Sequence, residues 1–121
     1  MFGKEMVTVL GLIVGVLVLG LLVVAPKAAA ANGTTWEVVI EGMKFKVDGK
    51  EQPLTIKVGD SVVFVNKDRM KHNAKSTDGK TFKTELIPPG GRSRPITFSQ
   101  VGTIRFRCGP HPSMKGSIIV K

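Results

Sequence analysis

A chain of 121 residues with one cysteine and a formal net charge of +9 is bounded by those facts alone. The single cysteine excludes an internal disulfide framework and any binuclear metal centre that needs two thiolates. The basic surplus suits an acidic protein partner or an anionic membrane surface, whereas nucleic acid is excluded as a target because no basic run is interleaved with aromatic residues that would stack on bases.

The first element is apolar. Residues 6–25, MVTVLGLIVGVLVLGLLVVA, carry no charge, and as a helix rising about 1.5 Å per residue they would span about 30 Å, the thickness of a bilayer's hydrocarbon core. Lys4 precedes this run, and Pro26, Lys27 and the alanines 28–31 follow it. Two readings stay open: a signal peptide cleaved at the small residues, or a retained N-terminal transmembrane anchor. In both, residues 1–31 are one hydrophobic helix plus linker. Residues 32–121 are then an exported domain, periplasmic or otherwise extracytoplasmic, soluble or tethered to the membrane by residues 6–25. Residues 1–31 hold two of the eighteen basic and one of the nine acidic residues, so the exported part keeps a formal charge of +8.

From residue 32 onward the pattern is that of strands. TTWEVVI at 34–40 is β-branched and aromatic. Met43, Phe45 and Val47 alternate with Lys44, Lys46 and Asp48, and Asp48-Gly49 predicts a turn. Leu54, Ile56 and Val58 alternate again, and SVVFVN at 61–66 reads as a central strand because it is apolar almost throughout. HNAKS follows a charged loop, Asp78-Gly79 turns the chain, and 81–86 reads as a short edge strand. IPPGGR at 87–92 is a turn, since its prolines remove donors and its glycines permit positive φ. PITF, TIRFRC and GSIIVK complete about eight short strands with no helical period, which argues for one all-β domain, an antiparallel sandwich or barrel.

The stretch CGPHPSMKG at 108–116 holds the cysteine, one of two histidines and a methionine. Ile104, Phe106 and Cys108 share one strand face, and the first two are apolar, so Cys108 points into the core at the strand's end. His111 and Met114 follow on the connecting loop, and His72 ends a different strand. Taken singly these residues have ordinary roles: a small buried hydrophobe, a surface histidine, a core filler. Together, one thiolate and two imidazoles with a weak axial thioether form the ligand set of a blue-copper site. Zinc could take the cysteine and histidines, but it has no redox chemistry and binds a given site less tightly than Cu(II). Every cysteine and histidine of the chain enters this one constellation.

KVGDSVVFVN at 57–66, MKHNA at 70–74 and VGTIRFRCGPHPSMKGSIIV at 101–120 resemble the cupredoxins, the type 1 blue-copper proteins, of the amicyanin and plastocyanin kind. The resemblance implies a Greek-key β-sandwich with one type 1 copper held by His72, Cys108, His111 and Met114. It also implies that the Asn73 side chain pins the ligand loop. It further implies that His111 turns an edge toward solvent inside an apolar ring to which Pro110, Pro112, Met70 and Met43 correspond. Lys71, Ser113 and Arg107 depart from the family's usual residues; with Lys67, Arg69, Lys75, Arg105 and Lys115 they suggest a more basic rim.

The function that follows is one-electron transfer between exported or membrane redox partners, a cytochrome or dehydrogenase with an acidic surface serving as donor and acceptor. The chain is expected to be a monomer and not an enzyme, as it shows no paired carboxylates and no nucleophile–base set. The alternative is a periplasmic copper chaperone or storage protein, which would favour an exposed, exchangeable site.

Overall fold

The structure, a computed structural model, describes residues 33–121; the hydrophobic helix and linker expected over residues 1–31 lie outside the described residues. Among residues 33–121 the apolar alternation becomes eight strands and no helix. They are β1 (Thr35–Ile40), β2 (Phe45–Lys46), β3 (Leu54–Ile56), β4 (Ser61–Asn66), β5 (Lys75–Ser76), β6 (Ile96–Thr97), β7 (Gly102–Arg107) and β8 (Lys115–Val120). Two four-stranded sheets form, ordered β2-β1-β4-β6 and β3-β8-β7-β5. The chain passes repeatedly from one to the other, as in a Greek-key sandwich.

Two ladders depart from the expected antiparallel arrangement. β1 pairs with β4 in parallel, from Thr35 opposite Ser61 to Ile40 opposite Asn66, and β3 pairs with β8 in parallel. Side chains alternate with period two in either direction, so strand patterns do not encode the sense of pairing. A parallel pair needs a crossover connection, and between β1 and β4 that connection runs through β3 in the opposite sheet.

The core is built from the inward residues of both sheets, among them Val38, Ile40, Phe64, Phe106, Ile118 and Val120. Phe64 lies parallel to Phe82 at 5.9 Å and edge-on to Phe106 at 5.4 Å, arrangements that aromatic quadrupoles favour. Gly116 stands directly opposite Phe106, and the absent side chain gives the ring its space: a Cβ there would come within 2.5 Å of the ring.

The turns account for the remaining departures from the sequence pattern. Asp48 and Gly49 both take left-handed φ, 53° and 76°, and Val47 and Lys50 exchange backbone hydrogen bonds of 2.7 and 3.0 Å across them. Val58 does not continue the inward face of β3. The chain turns there, with the Asp60 amide donating to the Lys57 carbonyl, and Val58 is exposed. Residues 81–86 form a single backbone bridge with β5, Lys75–Lys83, because the Thr84 hydroxyl takes the Ala74 N–H at one end and the Ser76 hydroxyl takes the Phe82 N–H at the other. Asp60 joins the start of β1 to that of β4, accepting from the Thr34 amide, the Trp36 indole and the Lys57 amide.

Candidate metal centre

Two loops meet at one end of the sandwich. The first, residues 67–71, leaves β4 and delivers His72. Asn66, the fully buried last residue of β4, fixes its path: the Asn66 side-chain amide donates to the carbonyls of Met70 and Ile87 at 2.7 and 2.9 Å, and its oxygen accepts the Asp68 amide. Reciprocal backbone bonds between His72 and Ile87 complete the seat. The second loop leaves β7 with Cys108 and returns as β8. The Cys108 amide donates to the Met114 carbonyl at 3.0 Å, and the Met114 amide donates to the His111 carbonyl at 2.9 Å. These two bonds curl the loop so tightly that His111 faces Cys108, and Met114 at its end is buried.

The loops are joined where the sequence resemblance expects. Asn73 is buried, and its side-chain oxygen accepts the Gly109 amide at 2.6 Å. Glycine suits position 109, since a Cβ there would press against that oxygen at 3.2 Å.

His72, Cys108 and His111 bring their donor atoms within 4.8 Å of one another. The Cys108 sulfur lies 3.6 Å from His72 Nδ1 and 3.8 Å from His111 Nδ1, and the two imidazoles are edge-to-face at 4.9 Å. His72 and Cys108 are 0% exposed and Met114 2%, while His111 is half-buried.

The donor geometry fits a metal ion. Bonds of about 2.3 Å to sulfur and about 2.0 Å to nitrogen, spread at about 120°, separate the two donors by about 3.7 Å. The tautomer fits as well. His72 Nε2 lies 2.9 Å from the Asp68 carboxylate, an acceptor only, so it carries the ring proton and leaves Nδ1 with a lone pair aimed at the sulfur. One thiol proton cannot serve both Nδ1 atoms at once, and a cation between the three donors resolves that crowding of lone pairs.

Two contributors escaped the sequence reading. Asp68 orients His72, and its only signal was a carboxylate four residues before a histidine. Leu86, 51% exposed, sits beside Pro110 at a shallow pocket next to Asn73. Met43, Met70, Pro110 and Pro112 are likewise exposed. A lone leucine in a polar stretch carried no signal.

A two-sheet sandwich with one thiolate and two imidazoles converging at its end defines a cupredoxin, and the chain belongs to the copper-binding plastocyanin/azurin family, whose sequence profile matches residues 34–121. Its cofactor is copper, in one type 1 site. Its relatives include the amicyanin of Paracoccus denitrificans, 32% identical over 96 residues, which covers 77% of this chain and 72% of that protein. Amicyanin-alpha of Methylorubrum extorquens is 33% identical over 95 residues, covering 76% of each. A solved copper(I) structure of an amicyanin point mutant superposes with a TM-score of 0.63 at 27% identity, over 76% of this chain and 89% of that one. A copper-containing nitrite reductase from Thermus scotoductus also matches, at 31% identity and a TM-score of 0.62, over 72% of this chain but 22% of the enzyme.

Proposed function

We propose that this chain is an exported blue-copper electron carrier whose metal ligands are His72, Cys108, His111 and Met114. The observation that carries the reading is the convergence of two imidazole Nδ1 atoms on one buried sulfur, at 3.6 and 3.8 Å. Copper bound there supplies a one-electron couple between Cu(I) and Cu(II).

The protein's own part is to hold the donors still. Asp68 keeps the His72 proton on Nε2. Asn66 fixes one loop, and Asn73 ties it to the other, so neither needs to move when the charge of the site changes. Pro110 has no N–H and adds no second hydrogen bond to the thiolate. Half-buried His111 gives the centre its edge toward solvent, and the apolar residues around it form the contact surface.

Four protein ligands leave no open coordination position for a substrate, so the chain carries electrons and does not turn over a substrate. A copper chaperone would present its donors to the surface; here Cys108 and His72 are fully buried. The partners are a donor and an acceptor with acidic surfaces, a cytochrome or dehydrogenase, toward which the basic side chains steer a monomer. Export of residues 32–121, with release from or tethering by residues 6–25, rests on the apolar run and on a lone thiol that needs a metal to protect it outside the cytoplasm.

The test is addition of Cu(II) to the full chain, with visible absorption and voltammetry. An intense blue band that bleaches on reversible one-electron reduction is expected. A colourless or irreversible product overturns the reading.

A further inference from the structure

Strand register places four cations in one line across the outer face of the second sheet. Lys75 on β5 is directly opposite Arg107 on β7, Arg107 is directly opposite Lys115 on β8, and Lys83 bridges Lys75 from the other side. Cross-strand partners project from the same face of a sheet. The next pair inward along β5 and β7, Ser76 and Phe106, is buried in the core, so the row faces outward. At strand spacings of about 4.8 Å the line is roughly 15 Å long.

Nothing in the fold gains from this line. Like charges directly opposite one another oppose sheet formation. Among the described residues the Lys and Arg ion pairs are Lys46–Glu41 and Arg92–Glu37, so no carboxylate is paired with any of the four. Further along the same two strands the outward pairs are Arg105 with Ser117 and Thr103 with Ile119, so four cations in register occur only at the end near Cys108, while Lys57 and Lys121 lie at the far end. Charge gathers at the end where Arg107 is followed by Cys108.

We propose that the Lys83–Lys75–Arg107–Lys115 line is a docking surface for the acidic face of a protein redox partner, lying beside the apolar edge at His111. The inference rests on the electron-carrier reading. Two observations select a protein: the line lies at the metal end, where a bound redox partner sits close to the centre, and it is a straight strip of regularly spaced cations that a matching strip of carboxylates complements.

The test uses the copper(I)-loaded full chain in phosphatidylcholine nanodiscs, titrated with decaglutamate at low salt while the backbone amide resonances are followed. Shifts are expected at residues 75, 83, 107 and 115. The Arg107→Gln/Lys115→Gln double variant should weaken peptide binding at least about fivefold. Lys57→Gln/Lys121→Gln, with the same loss of charge at the far end, should change it less than about twofold. Lys75→Gln/Lys83→Gln repeats the test away from the residue that precedes Cys108, should Arg107→Gln disturb the fold. Shifts centred on Met43, Met70 and His111, equal weakening by near and far variants, or perturbation of the line by phosphatidylglycerol discs but not by the peptide would each overturn the proposal. The carrier reading is judged separately on the same samples after oxidation to Cu(II): it fails if the blue band or the reversible couple is missing, whatever the peptide does.

Discussion

The Asp68 carboxylate holds His72 by its Nε2 at 2.9 Å and at the same time accepts the backbone N–H groups of Gly42 and Met43, at 2.7 and 3.0 Å. One side chain thus links a buried imidazole to the loop that exposes Met43. Gly42 and Met43 both take left-handed φ, 65° and 61°, and that conformation turns their N–H groups toward a single anion. Burial pushes the Asp68 pKa upward, but hydrogen bonds from Met43, Gly42 and His72 outweigh it and hold the group below the usual carboxylate value.

Asp68→Asn removes the negative charge and lets the side chain offer His72 either a donor or an acceptor. Copper affinity should fall about 10- to 100-fold, as for other partners that orient metal-bound histidines. The reduction potential should rise, because a nearby carboxylate favours the more highly charged Cu(II). Competition with a chelator and voltammetry read the two effects; an unchanged affinity and potential would show that Asp68 does not act through His72.

Asn73→Ala leaves the Gly109 amide without its acceptor and unties the two loops. The loss of a buried acceptor costs about 1–3 kcal/mol. Thermal unfolding of the copper-free protein should show it directly, and the blue band should broaden as the loop carrying Cys108 and His111 samples more than one position.

Gly116→Ala tests the packing beneath the ligand loop. The added methyl meets the Phe106 ring at 2.5 Å, and Phe106 cannot swing aside because Phe45, Phe64 and Phe82 surround it. Overpacking of this kind costs about 1–3 kcal/mol, measured as a lowered denaturant midpoint at unchanged slope.

Acid stability follows from two carboxylates remote from the metal donors. The pKa of Asp60 is lowered by the Lys57 amide first and the Trp36 indole next. Asp78 is lowered by Ser76 and Thr81. A group depressed in the folded state stabilises the protein above its unfolded value of about 3.9, and that stability is lost as pH falls through the lower folded value. The melting temperature of the copper-free chain should therefore be nearly flat from neutral pH to about 5 and drop below about 4. Asp60→Asn should melt lower at neutral pH and lose less on acidification; a parallel displacement of the whole curve would refute the assignment.

The sequence was informative wherever chemistry is local. The β4 strand was legible because it is apolar throughout, and the Asp48-Gly49 turn because both residues tolerate positive φ. The ligand stretch was legible because a thiol, an imidazole and a thioether within seven residues form a rare combination. Met43 shows where local reading fails. It alternates with Phe45, which is buried, but Asp68 draws the Met43 backbone into a left-handed turn and the side chain is exposed, as the resemblance rather than the alternation implied. Residues 81–86 failed similarly, since the Thr84 hydroxyl replaced a ladder bond that the pattern assumed.

By itself, then, the sequence determined most of the segments that become strands, where they turn and which side chains offer donors suited to copper, because each depends on residue type and short spacing. Only the tertiary structure decided that β1 and β4 run parallel, that Asp68 reaches His72, and that Lys83, Lys75, Arg107 and Lys115 stand in line. Those facts depend on register between segments far apart in the chain. Register is set by how the two sheets bury their inner faces together, and no stretch of sequence read alone contains it.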